Sequence, residues 1–359
     1  MSCMLLPSRL LPRAFLTTAA LTTTTTTTTI TTALSSARRN ATTCLSSSTM
    51  PAIGLGTYSI PPEQVGGAIQ SAIRTGYRRI DCSPVYFNED KIGDALALEL
   101  SEGTVSRDAL FIVSKLASPY HRKEHVKLAL QKTLNDLRVD YLDLFLIHWP
   151  QAFKYVPIDP NQRGYENEDM DDGDDGKNID TSVSVHETWQ AMEELVDQGL
   201  VKSIGVSNFQ VSLLHELMTR SRIPPAVNQV EAHPYLQQKG LLSYCQKRGV
   251  DFQAYAPLGS PGNKQEHEPR ILDDPVLKKI AAAHAVTVAN VCIAWALQRG
   301  TSVVAKSESA ERLEENLLLQ MKPFELSMSE MEEIATLERG YRFFRPQDWW
   351  GEMAMHVFE

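Results

Sequence analysis

Between Pro51 and Gln320 the chain alternates between short apolar runs of strand length and longer stretches with helical spacing. Strands are expected at 52–57, through Ile80, and at 110–115, 142–147, 201–206, 226–230, 251–255 and 302–305. Helices are expected at 64–75, 90–102, 123–137, 185–198, after Asn208, and at 237–248, 275–284, 288–298 and 310–320. The run 142–147 is almost wholly apolar, as a strand buried on both faces requires. Eight strand–helix units in this length match a (β/α)8 TIM barrel. The order alone also admits an open doubly wound sheet. No GxGxxG follows the first strand, however, and Gly54 and Gly56 lie within that strand and open no helix. The expectation is an α/β fold, a single (β/α)8 barrel over 50–359.

Three segments stand outside the alternation. Residues 1–49 carry Arg9, Arg13, Arg38 and Arg39, no acidic residue, and threonine without a break from Thr22 to Thr29. Such a segment buries no core and is expected to be disordered. It has the composition of a transit peptide, which would direct the chain to a mitochondrion or plastid; otherwise the cytoplasm is expected. The loop 151–181 holds Glu166, Glu168, Asp169, Asp171, Asp172, Asp174 and Asp175 without periodicity. It lacks the EF-hand pattern, reads as solvated, and leaves the fourth strand on the face where a barrel keeps its chemistry. The tail 325–359, read as a loop, carries Phe343, Phe344, Trp349 and Trp350, which must pack on the barrel wall or over its mouth. The net charge of −9 argues against a nucleic-acid partner. No stretch approaches the roughly 18 apolar residues of a membrane span. Cys3, Cys44, Cys82, Cys245 and Cys292 form no CxxC pair, so neither a disulfide scaffold nor a metal is expected.

Polar residues punctuate the strand ends. Asp81 ends the second strand and Tyr86 sits in the loop after it; Lys115 ends the third strand; His148 follows the fourth. In a parallel barrel these ends share one face. Free tyrosine, with a pKa of roughly 10, is a poor acid near neutral pH. A buried ammonium beside it lowers that value, and a carboxylate keeps the ammonium charged and oriented. Asp81, Lys115 and Tyr86 supply these parts, and His148 adds a hydrogen-bonding imidazole. Each residue alone reads more simply as a cap, a packed ring or a surface cation; four on one face make a site that protonates an oxygen. After the eighth strand, Lys306 and Ser307 meet a helix N-terminus, with Arg312 and Asn316 on the helix. That is an anion site suited to a phosphate.

The segment 76–89, GYRRIDCSPVYFNE, with VSKL at 113–116, LIHWP at 146–150, GVSNF at 205–209, NQVE at 228–231, AYAPLGS at 254–260 and AKS at 305–307, resembles the aldo-keto reductases from about Met50 to Phe324, in that family's order. The resemblance implies that Tyr86 is the general acid, tuned by Lys115 and Asp81, with His148 orienting the carbonyl. It implies that Ser207, Asn208 and Gln229 hold the carboxamide of NADPH and that Tyr255 stacks on its ring. Asp81 would also lie against the cofactor; Thr57, Leu258 and Ser260 would touch its ribose or pyrophosphate. Lys306, Ser307, Arg312 and Asn316 would bind the 2′-phosphate. Tyr58, Phe87, His148 and Trp149 would meet a small carbonyl substrate.

The chain departs from the family at Arg79 (commonly His), Ala256 (often Ser), Ala117 (often aromatic) and Tyr58 (often Trp), which bears on the substrate and leaves the proton relay intact. The expected function is NADPH-dependent reduction of an aldehyde or ketone by a monomer without nucleic-acid or membrane partners. The alternative of another class is an NADPH-binding regulatory subunit with little turnover; an open-sheet NAD enzyme is disfavoured by the missing fingerprint.

Overall fold

In a computed structural model, which describes residues 50–159, 178–262, 267–321, 324–350 and 358, eight parallel strands close into a barrel in sequence order. All the described residues belong to the unit Thr43–Glu359. The segment 1–49 lies outside the described residues, as do the seven acids named in the loop 151–181. The strands are β1 Ile53–Gly56, β2 Arg79–Asp81, β3 Phe111–Leu116, β4 Leu144–Ile147, β5 Ile204–Ser207, β6 Val227–Glu231, β7 Asp251–Tyr255 and β8 Ser302–Lys306. Eight helices between or after them are α1 Pro62–Thr75, α2 Glu89–Ser101, α3 Lys123–Leu137, α4 Val185–Asp197, α5 Val211–Arg220, α6 Lys239–Arg248, α7 Pro275–His284 and α8 Val288–Gln298. The helix α9, Ala310–Met321, follows β8. The expected elements are all present, displaced by a few residues at their ends.

Strand parity sorts the core into two clusters. Ile80, Ile112, Phe145 and Ile147 face outward into the large cluster under the helices. Phe111, Val113, Leu144, Leu146 and Val227 fill the barrel, with Met50 packed against them. Continuing the inward parity toward the strand ends gives Asp81 on β2, Lys115 on β3, and His148 just past β4. The register sets Asp81 beside both Gly56 and Val113, and Lys115 beside Leu146. Polar side chains therefore gather at the C-terminal rim, while below them the fully buried Arg79 on β2 and Gln253 on β7 share the interior with the apolar residues.

Helix packing leaves little tolerance between α2 and α3. A Cβ added at Gly93 would lie 2.0 Å from the Asp136 carbonyl oxygen, which is backbone and has nowhere to yield. Gly93→Ala is expected to cost about 3 kcal/mol of stability, read as a lowered urea midpoint; an unchanged midpoint would show that the two helices separate freely.

The C-terminal tail is not the plain loop expected. It contains α10, Met328–Ala335, started by a reciprocal Ser327–Glu330 capping box, and the short α11, Gln347–Trp350. The described ends of the loop after β4 join to each other: Phe153 bridges Ile179, and Asp180 N donates to Ala152 O at 2.8 Å.

Candidate active site

Lys115 lies at the centre of the rim. Its Nζ, with a side chain wholly removed from solvent, is ion-paired with Asp81 Oδ1. It donates to Cys82 O at 2.9 Å and reaches Tyr86 OH at 3.2 Å. Gln229 Nε2 donates to Asp81 Oδ2 at 2.6 Å, so both carboxylate oxygens are engaged. Burial pulls Lys115 down, but Asp81 and Tyr86 together hold it above its ordinary value, and it stays an ammonium. His148 is driven well below the usual imidazole range by burial, then by Lys115 and His121, and is neutral.

Tyr86 corrects the sequence expectation. Its phenol is not made more acidic in net; it is pushed up to about 12. Lys115 acts in the expected direction, by charge and by hydrogen bond, but burial outweighs it and Asp81 adds to the rise. The phenol thus holds its proton throughout the neutral range.

These residues open onto one cavity of about 1200 Å³. Asp81, Tyr86 and His148 line one region, with Thr57, Ser207, Asn208, Gln229 and Tyr255 beside them. Thr57 Oγ1 donates to Asp81 O at 2.8 Å, and Ser207 Oγ to Gln229 O at 2.8 Å. Tyr255 OH donates to Asn208 Oδ1 at 2.9 Å, and Asn208 Nδ2 to His148 O at 2.9 Å. Asn208 adopts the left-handed conformation, φ 65°, which asparagine tolerates better than most residues. Leu258 and Ser260 line the cavity on the way to Lys306, Ser307 and Arg312. Asn316, expected among the phosphate contacts, is buried on α9 and is not among the residues that line the cavity. Tyr58, Phe87 and Trp149 also line the cavity, and Tyr58 packs edge-on to Tyr86 with ring centres 5.1 Å apart.

The tail takes one of its two expected courses, and three further features of the site, at Glu308, Ser83 and Glu89, went unread in the sequence. The tail crosses the mouth: Glu231, fully buried at the end of β6, accepts from Phe343 N at 2.7 Å and Phe344 N at 3.2 Å, and contacts His233 Nε2 at 3.0 Å. Phe344 thereby sits edge-on to both Tyr58 and Tyr255. Trp350 stands against Trp149 and Phe153. Glu308 lines the far part of the cavity and pairs with Lys306. Ser83 Oγ lies 3.2 Å from His148 Nδ1. Glu89, buried beneath the relay, accepts from Ser114 Oγ at 2.6 Å and Thr133 Oγ1 at 3.2 Å; burial first of all pushes it up to about 8.

The residues fit a dinucleotide. One part of the cavity offers an aromatic face with amide and hydroxyl groups beside it, the other an arginine with no side-chain partner among the described residues, next to Lys306 and the residues that lead into α9. A proton-holding phenol backed by an ammonium, in a parallel barrel with such a cleft, suits the class of barrel oxidoreductases. The comparisons agree. The profile described as "Aldo/keto reductase family" matches residues 52–339. The aldo/keto reductase slr0942 of Synechocystis is 45% identical over 304 residues, covering 84% of this chain and 89% of that protein. The NAD(P)H-dependent D-xylose reductase of Candida tenuis is 42% identical over 311 residues, covering 85% and 94%. The solved structure of the aldose reductase from Schistosoma japonicum superimposes with a TM-score of 0.73 at 39% identity, covering 84% and 93%. The chain belongs to the aldo/keto reductase family.

Proposed function

We propose that this protein reduces an aldehyde or ketone to an alcohol with NADPH, and that Tyr86 supplies the proton. The observation that carries the reading is the Lys115 ammonium, fixed by Asp81 and 3.2 Å from the Tyr86 hydroxyl, at the edge of a dinucleotide-sized cleft. When bound, the reduced nicotinamide supplies a hydride to the carbonyl carbon. Tyr86 and His148 meet the carbonyl oxygen as donors. A phenol pushed up to about 12 keeps its proton until that oxygen gains charge, and an alkoxide is a much stronger base than a phenolate. Lys115 then stabilises the phenolate left behind, in a site where water has been replaced by fixed charges. Tyr58, Phe87, Trp149 and Phe344 form an aromatic wall that suits a small to medium carbonyl compound.

Consumption of NADPH by a panel of aldehydes and ketones tests the activity. No turnover with any member, alongside tight NADPH binding, would replace the enzyme by a nucleotide-binding subunit. For the cofactor, Arg312 and Lys306 favour the 2′-phosphate, and one relative is named as NAD(P)H-dependent. Arg312→Ala is expected to weaken NADPH about 10- to 100-fold, the worth of a charge-assisted contact, and to leave NADH almost unchanged. The measurement is quenching of tryptophan fluorescence by each cofactor. Equal losses for the two would remove Arg312 from the phosphate site.

A further inference from the structure

Ser83 is the second residue after β2 and precedes the short turn Pro84–Tyr86 that carries the phenol. It is fully buried and extended, φ −163° and ψ 142°. Its carbonyl and its hydroxyl serve different neighbours. Its carbonyl accepts from Tyr86 N at 3.0 Å, and its hydroxyl lies 3.2 Å from His148 Nδ1. The His148 backbone is itself fixed on both sides, since its N–H donates to Leu116 O at 3.1 Å and its carbonyl accepts from Asn208. What the backbone does not fix is which ring nitrogen carries the proton.

We infer that Ser83 is a positioning residue that sets the His148 tautomer: its hydroxyl donates to Nδ1 and so leaves the proton on Nε2, facing the cavity. Among the described residues, the Ser83 hydroxyl has no hydrogen-bond partner other than Nδ1. A buried hydroxyl hydrogen needs an acceptor. If Nδ1 carried the proton instead, it would donate to Ser83 Oγ, and the serine's own hydrogen would be left with none. Nε2 would then present a lone pair to the lone pairs of a carbonyl oxygen. With Nδ1 bare, Nε2–H and the Tyr86 O–H both point donors at one oxygen, the arrangement that stabilises charge developing there. The ring is neutral, so the tautomer alone decides whether it donates or accepts.

This inference rests on the proposed role of His148 at the carbonyl, but its first test does not need turnover. The whole chain is labelled with ¹⁵N-histidine and its nitrogen spectrum recorded with NADP⁺ bound and no carbonyl compound present; of the nine histidines, His148 is identified by the loss of its signals in His148→Asn. The expected spectrum shows a proton-bearing Nε2 and a bare, hydrogen-bonded Nδ1. In Ser83→Ala, the two nitrogens are expected to move toward averaged positions. The kcat for carbonyl reduction is then expected to fall about threefold to tenfold, the net worth of one hydrogen bond, while NADP⁺ affinity holds. A wild-type ring protonated on Nδ1 overturns the assignment, as does a Ser83→Ala ring whose tautomer and turnover match wild type. The predicted wild-type spectrum in a protein that turns over no carbonyl supports the tautomer and overturns the function.

Discussion

Tyr86→Phe is expected to lower kcat/KM for carbonyl reduction between about a hundredfold and ten-thousandfold, the range removed when a positioned proton donor is lost, while NADPH binds as before. The substitution deletes a single oxygen. Lys115 keeps its ion pair with Asp81 and its bond to Cys82 O, so the rim is not dismantled. The ring keeps its edge contacts with Tyr58 and His148. The check is steady-state kinetics beside a cofactor titration. Retained turnover would mean that another group, or water, protonates the product. The raised phenol adds a pH signature. Reduction needs the protonated phenol, which is present at all pH values below about 12, so Tyr86 imposes no fall in the reductive rate as pH rises through neutrality. Alcohol oxidation needs the phenolate, so its rate is expected to climb with pH over the same interval.

Lys115→Met carries the second large effect, on two observables. It strips the ammonium from a carboxylate that is 3% exposed, leaving Asp81 with the hydrogen bond from Gln229 and the attraction of the buried Arg79 guanidinium. Breaking a buried ion pair from one side typically costs about 3–5 kcal/mol. Carbonyl reduction is expected to fall by at least about a hundredfold as well, because the phenolate loses the ammonium that lies 3.2 Å from its oxygen. Pairing the change with Asp81→Asn separates the two roles. The double variant removes both charges and is expected to recover much of the lost stability but none of the activity. Denaturant melts of the three variants with kinetics on each provide the check. If activity returned along with stability, Lys115 would be a structural cation only.

The barrel was legible because its strands are buried on both faces and separated by helices with clear periodicity. Three of the four relay residues were legible for a related reason: inward parity on β3 and β4 runs from apolar residues to Lys115 and His148 at the rim, and on β2 from Arg79 to Asp81. What escaped depends on distances that no local pattern encodes. The rise of Tyr86 follows from the loss of solvation around it at the folded rim, whereas the neighbouring Lys115, visible in the sequence, pointed the other way. Phe344 reaches the site through Glu231, more than a hundred positions earlier, and the tail carries no period that announces the contact. The helix α10 did have a signal, Ser327 three residues before Glu330, which is a capping box by spacing alone. Ser83 is an unremarkable loop serine until β2 and β4 bring it beside His148. Asn316, which the resemblance placed beside the phosphate, is buried on α9, and no local pattern distinguishes it from the exposed Arg312 four residues earlier.

The most direct test of the central claim follows one atom from cofactor to product. Wild-type protein is incubated with an aldehyde and NADPH deuterated at the transferable C4 position, and the alcohol is analysed by mass spectrometry and NMR. The account predicts one deuterium on the carbinol carbon for each NADPH consumed, with the hydroxyl proton drawn from solvent through Tyr86. Deuterium that stays on the cofactor while the aldehyde is unchanged, or an alcohol labelled only from solvent, would contradict it.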